Sequence, residues 1–384
     1  MELTYKPLGD FIHEVDVRNN DLSITKLMGV NLNKEMMPSV ANIIDTDLSK
    51  YKVVTKNQFV CKLMSVGRDA CLPIALKKDD EPVIISSAYY AFEVKNINEI
   101  LPEYLFMCFL RPIFDKELWF KTGGDVRGGI TWDDFCATKI PYISIEEQFK
   151  FVHDYKVITD RILLLEKINN NLLEINQCIL SEFMLKEQYN LEELSKIADI
   201  IDCLHSKKPE YYSKGTKQLL QLENIKDNSF LDLSYRFLIS DSDYSLWTKR
   251  HEIKEGDCVI TNVGRIGAVA QAPYSTAVAM GRNMSCITLK NQFAYPSFLI
   301  TILTSNHIKK EIIDNTDVGT IMGALNVSSI PKLKIPFFKK NVFEKLEDEL
   351  AKPRKMFIDY SIEIARLNLL KSELLIKISK ETNY

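Results

Sequence analysis

The sequence predicts an α+β chain written twice, in the order globule, long helix, globule, long helix. Three observations predict it. A short passage recurs at a fixed offset ahead of two charged segments, those segments carry the same heptad phase at the same offset, and the stretches before them mix β-rich and helical runs in the same order.

The recurring passage is KTGGDVRGGITWDDFCATKIP at 121–141 and TDVGTIMGALNVSSIPKLKIP at 316–336. At an offset of 195, with no gap, Gly124 faces Gly319, Gly128 faces Gly323, and Lys139, Ile140 and Pro141 face Lys334, Ile335 and Pro336. Apolar character is kept between them, at Val126 and Ile321, Ile130 and Leu325, Trp132 and Val327, Phe135 and Ile330. A match that holds register without gaps points to duplication of one folding unit.

After the first passage, Tyr155, Ile158, Ile162, Leu165, Leu172, Ile179 and Phe183 fall on steps of three and four, with Asn169 and Asn176 completing the series. That is the spacing of a helix packed along one seam. Ser144 and Glu147 form a capping-box pair at its start. The asparagines either sit on the seam, where a polar residue fixes register at a cost in stability, or face water while Ile168 and Ile175 bury instead. The same offset yields Leu350, Pro353, Phe357, Tyr360, Leu367, Leu374 and Ile378, with Ile364 and Lys371 opposite the asparagines. Pro353 predicts a short helix over 342–350, a kink, and a long helix from 353 onward. Each stripe alone stays exposed, so the two helices are expected to pair antiparallel as an intramolecular coiled coil. The globules are then expected at opposite ends with approximate twofold symmetry.

The remaining stretches correspond with small gaps. KPLGDFI resembles LEELSKIADII, MSVGRDACLPIAL resembles TNVGRIGAVAQAP, and ILPEYLFMCFL resembles AYPSFLITILT, with offsets drifting between 186 and 197. Runs such as EPVIISSAYYAFEV and DCVITNVGRIGAVA read as strands, and PEYLFMCFLRPIFDKELWF and PSFLITILTSNHIKKEII as helices. The expected segments are 1–145, 146–186, 187–338 and 339–384.

Composition narrows the function. A chain of 384 residues exceeds one ordinary core, and 46% hydrophobic with 26% charged residues is globular chemistry. The start lacks a basic region followed by an apolar run, and no stretch has the apolar length of a membrane span, so a cytoplasmic protein with no membrane role is expected. Eight cysteines without a CxxC pair predict reduced, buried thiols and no metal site, although Cys203 and His205 stand close. A net charge of −3 weighs against strong unaided nucleic-acid binding, but Lys and Arg collect locally at Lys77 and Lys78, Lys207 and Lys208, Lys214 and Lys217, and Lys249 and Arg250. No phosphate loop, HExxH, GxSxG or GxGxxG occurs in its required context, so no catalytic residues are assigned.

With the duplicated loop ending in ATKIPYISIEEQ and KLKIPFFKKNVFEKL, and the opening LGDFI…VRNNDLSITKLMGV…YKVV, the whole chain resembles the specificity (S, HsdS) subunit of a type I restriction-modification enzyme. The resemblance departs at the second helix start, where NVFEK replaces the usual acidic-Gln pair. It implies two target recognition domains, each reading half of a bipartite, asymmetric site on double-stranded DNA, separated by spacer helices that dock two modification subunits. Those partners would use S-adenosylmethionine to methylate adenine at N6, and restriction subunits would add ATP- and Mg-dependent translocation and cleavage. No cofactor is implied for this chain. Base contacts want Arg, Lys, Asn, Gln and Ser on exposed loops. The candidates are Arg18, Asn19, Asn20, Lys62, Arg68 and Tyr89 in the first globule and Lys207, Lys208, Asn262, Arg265, Arg282 and Asn283 in the second. Arg68 and Arg265 share a VGR sequence, which predicts a common backbone or phosphate role. The rival reading is a coiled-coil scaffold that never touches DNA.

Overall fold

The computed structural model describes residues 4–39, 46–123, 129–314, 316–317 and 324–379. Gly124, Val126, Gly128, Gly319, Ile321 and Gly323 of the duplicated passage lie outside the described residues. The chain divides into two compact units, Met1–Asp160 with Leu369–Tyr384, and Arg161–Asn368. Each unit carries part of each long helix.

The two units are built on one plan. In the first, a four-stranded antiparallel sheet runs in the order Ile12–Val15, Tyr90–Val94, Phe59–Cys61, Ile74–Leu76. In the second the order is Ala198–Asp202, Met284–Leu289, Cys258–Thr261, Val269–Gln271. The third strands in sheet order, Phe59–Cys61 and Cys258–Thr261, are buried throughout, filled by β-branched, aromatic and cysteine side chains. Helices Pro102–Phe109 and Pro112–Lys121 follow the first sheet, and Pro296–Leu303 and Asn306–Asp314 the second.

The KIP triplet of the duplicated passage lies in the same ladder in both units. Lys139–Tyr142 pairs antiparallel with Thr4–Pro7, and Lys334–Phe338 with Tyr189–Glu193. Each ladder leads into a one-turn 3-10 helix whose first leucine, Leu8 or Leu194, is fully buried. Leu8 N–H donates to Thr138 O at 2.9 Å and Leu194 N–H to Leu333 O at 2.8 Å. Lys95 Nζ reaches Gly9 O at 2.7 Å, and Lys290 Nζ reaches Ser195 O at 2.5 Å. Such agreement in partners, across very different loop sequences, is the mark of one unit present twice.

The central helix spans Ile145–Lys186 and the C-terminal helix Lys340–Ser379. Ser144 Oγ accepts from Glu147 N–H at 3.3 Å at the start of the first. Its buried seam is Ile162, Leu165, Asn169, Leu172, Asn176, Leu180 and Phe183, with Tyr155, Ile158 and Ile179 half-buried. Both asparagines therefore face inward, and Ile175 is the residue left exposed. The C-terminal helix departs from expectation in two ways. It continues through Pro353 instead of breaking into two helices, accepting the loss of one backbone donor. Its predicted seam is also only partly kept: Leu350, Phe357 and Ile378 are buried as expected, but Arg354, Ser361 and Leu375 are buried in place of Pro353, Tyr360 and Leu374, which are half-buried with Ile364 and Leu367. The apolar pattern misled because two of the inward positions are polar.

Within the second unit the helices pair antiparallel. Arg161 grips Glu363 through Nε and Nη2 at 2.8 and 3.1 Å, Asn169 Nδ2 donates to Ser361 Oγ at 3.0 Å, and Leu172 shares a cluster with Phe357 and Ile358. Further along, Leu180 and Phe183 enter the same core as Phe343, Leu346 and Leu350. In the first unit Tyr155 packs with Leu374, Leu375 and Ile378 in its core.

Where the helix starts differ in sequence, their contacts differ accordingly. Gln148 is fully buried, and its amide accepts from Leu101 N–H at 2.9 Å while donating to Glu99 O and Ile143 O. Phe343 stands at the equivalent place in the second unit and packs edge-on against Phe298, Phe337 and Phe338. The capping task passes one turn on to Glu347, whose carboxylate accepts from Ser297 and Phe298 N–H, both at 2.9 Å.

Candidate nucleic-acid interface

The loop after the third strand in sheet order carries candidate residues in both units, and the duplicated passage backs it both times. Ile130 N–H donates to Leu63 O at 3.3 Å, and Leu325 N–H to Asn262 O at 2.8 Å. A side chain at Gly129 would meet Met64 Cα at 2.7 Å, which explains a glycine there.

In the first unit Lys62 Nζ lies 5.7 Å from the Tyr89 ring, so these two candidates form one cation–π pair at the loop base. Arg68 is exposed and forks onto its neighbour Asp69 at 2.7 and 2.8 Å, an ion pair that holds the Asp69 carboxyl below its ordinary range. Arg18 binds Lys50 O at 2.6 Å and Asp16 at 2.7 Å. Asn20 is exposed. Asn19 is not: it is buried, donating to Ile24 O at 2.9 Å and accepting from Ile24 N–H at 3.3 Å. It closes the turn that presents Asn20, and a base edge cannot compete for it without opening that turn.

In the second unit Asn262 is also buried, with Nδ2 on Ser285 Oγ at 2.9 Å and its backbone N–H on Asn283 O at 2.8 Å. Asn283 is exposed in the left-handed region (φ 63°) beside exposed Arg282, so Asn262 is the fastening and the two residues after Gly281 are the exposed tip. Arg265 is exposed, donates to Ile225 O at 2.5 Å and pairs with Asp227. Within the chain the two VGR arginines differ in their contacts: Arg265 braces a distant loop, whereas Arg68 forks onto the next residue.

Lys207 and Lys208 are exposed. Lys208 Nζ sits 4.0 Å over Phe237, whose ring meets Tyr211 edge-on at 5.8 Å. Lys217 lies 4.8 Å over Tyr244, and Tyr211, Tyr212 and Tyr235 are about half exposed. Cations alternating with exposed rings suit a nucleic-acid surface, which offers phosphates and base faces together. Sequence reasoning took the lysines and missed the tyrosines, although KKPEYYSKGTK interleaves them openly.

The sheets match, but what decorates them does not. The first unit adds the hairpin Met28–Val30 with Met36–Pro38, and the second adds the pair Lys217–Gln218 with Leu238–Ile239 followed by helix Asp241–Trp247. Two side-chain groups have metal-like composition among the described residues, Asp202 with Cys203 and His205, and His251 with Asp257 and Cys286. Burial pushes the Cys203 and Cys286 thiols up, away from the thiolate a metal needs. Asp257 is already occupied by His251 at 2.7 Å and Lys254 N–H at 2.9 Å. Five cysteines are buried, Cys71 and Cys136 are half-buried, and Cys178 departs from expectation by being exposed. No described helix is long and apolar enough to cross a membrane.

No protein-family profile matches this sequence, and no curated protein matches it. Among solved structures it is similar to the S subunit of a type I restriction-modification system from M. genitalium, at 14% identity and a TM-score of 0.60, over 98% of this chain and 96% of that one. Two others align over 99% of this chain at lower scores. One is from a type I system studied for complex assembly and conformational transition (15% identity, 98% of that chain, TM-score 0.41). The other is the HsdS subunit of Thermoanaerobacter tengcongensis (14% identity, 97% of that chain, TM-score 0.36). With the duplicated sheet, the duplicated ladder and the two long helices on the page, the chain has the fold of a type I restriction-modification S subunit.

Proposed function

We propose that this chain is the DNA-specificity subunit of a type I restriction-modification system. The observation that carries the reading is duplication with divergence: one sheet topology and one set of anchoring hydrogen bonds occur twice, while the loops around them differ. Equal scaffolds with unequal loops suit a target in two unequal parts. Each globule reads one part of a bipartite, asymmetric site on double-stranded DNA, with the paired helices as spacer. Specificity comes from the members of the candidate set that are not buried, Arg18, Asn20, Lys62, Arg68 and Tyr89 in one unit and Lys207, Lys208, Arg265, Arg282 and Asn283 in the other, joined by Tyr211 and Tyr212.

The chain itself reads and does not catalyse. Two modification subunits supply S-adenosylmethionine chemistry at adenine N6, and restriction subunits supply ATP- and Mg-dependent cleavage. An overall acidic protein gains its DNA affinity from local cation clusters and from such partners. Co-expression with a candidate modification subunit, followed by genome-wide mapping of methylated adenine, tests the proposal. A split motif that disappears when this chain is omitted supports it. Methylation that is absent, or independent of this chain, favours a scaffold that does not read DNA.

A further inference from the structure

The second unit holds a cavity of about 440 Å³ between the central helix and the globule, lined among others by Asn176, Gln177, Ser229, Thr304, Lys309 and Arg354. Arg354 is 3% exposed, an unusual place for a guanidinium. Its Nε donates to Gln271 Oε1 at 2.9 Å. Gln271 is held with that oxygen toward the arginine because its own Nε2 donates to Gly256 O at 3.1 Å and Pro296 O at 2.7 Å. Phe357 covers the guanidinium at 4.7 Å. The outer nitrogens Nη1 and Nη2 are buried and have no partner, and neither has Asn176 Oδ1.

A buried cation left without a counter-charge is costly, and a fork of two free N–H groups matches the two oxygens of a carboxylate or phosphate. The cavity's own carboxylates do not fill that place. Asp227 is paired with Arg265, and Glu174 is exposed. Lys309 adds a second cation at the wall. We infer that this cavity binds a small oxyanion, a carboxylate or a phosphate, for which the buried, unpartnered guanidinium of Arg354 supplies the counter-charge. Bound there, the anion ties the C-terminal helix, the central helix and the sheet residue Gln271 together. Burial lowers the arginine to about 10, which a neighbouring anion would reverse.

The test is thermal unfolding of the full chain in inorganic phosphate, acetate and chloride at matched ionic strength. The expected result is a rise in Tm of about 2–4 °C with phosphate or acetate over chloride. A response to phosphate alone assigns a phosphate, and a response to acetate assigns a carboxylate. Arg354→Met abolishes the response. Asn176→Asp adds a carboxylate to the wall of the same cavity, so it also abolishes the response while raising Tm in chloride, and it decides the matter if Arg354→Met does not fold. No response beyond chloride overturns the inference, as does a response that survives both substitutions, which would belong to surface lysines.

Discussion

Arg265 shows how one side chain divides structure from recognition. It braces Ile225 and Asp227 while remaining exposed. If it also contacts DNA, Arg265→Ala weakens binding whereas Asp227→Ala, which frees the guanidinium, leaves binding intact or stronger. Gel-shift titration of both variants checks this, and equal weakening would make Arg265 a loop brace only. Glu347 poses a different question. Burial pushes its carboxyl above the ordinary value despite two backbone donors. A carboxyl raised on folding lowers stability where it is ionised in both states, and that cost disappears as pH falls through the folded value toward 4.5. Glu347→Gln keeps an acceptor for the helix start and removes the charge, so it should match or exceed the wild type at pH 7 and lose the relief on acidification. Glu347→Ala should instead cost about 1–2 kcal/mol as a lost helix cap. Parallel pH profiles for wild type and Glu347→Gln would contradict the assignment. Single residues were the least legible level in the sequence. Asn19 and Asn262 have the right chemistry for bases, but both are buried with their amide donors spent on the Ile24 carbonyl and the Ser285 hydroxyl, and a donor's local commitment is invisible until the chain folds.

At the scale of elements, the long helices show what periodicity can and cannot deliver. The central seam was readable because five of its seven fully buried positions are apolar at heptad spacing. The C-terminal seam was readable at Leu350, Phe357 and Ile378 but not between them, because Arg354 and Ser361 face inward, and helix continuity through Pro353 depends on tertiary packing that propensity does not see. Asn169 and Ser361 make a buried polar pair in that seam, while Asn169 Oδ1 stays unpaired. Leu165, fully buried, should cost about 2–4 kcal/mol when cut to Ala, measured by urea unfolding. Arg161→Ala, which removes an exposed ion pair, should cost much less. The reverse order would mean that surface charge and not the apolar seam holds the helices. Asn169→Leu should stabilise the chain at the expense of register, since it exchanges a half-satisfied amide for apolar contact.

For the whole molecule, the duplication was the most legible feature, because it survives as spacing even when identities fade. Lys139 and Lys334, Leu8 and Leu194, and Lys95 and Lys290 occupy matched positions with matched partners. The loops outside the sheets could not be read the same way. Beyond the VGR loop their sequences diverge, and it is there that the two units part company, with a hairpin in one and a strand pair with helix in the other. The most direct measurement is a map of adenine methylation produced by a modification subunit with this chain carrying Lys207→Ala, Lys208→Ala and Tyr211→Ala together. Two separate reading heads predict that one half of a split motif loses stringency while the other half keeps its sequence. Loss of stringency in both halves, or a motif without two parts, would contradict that account.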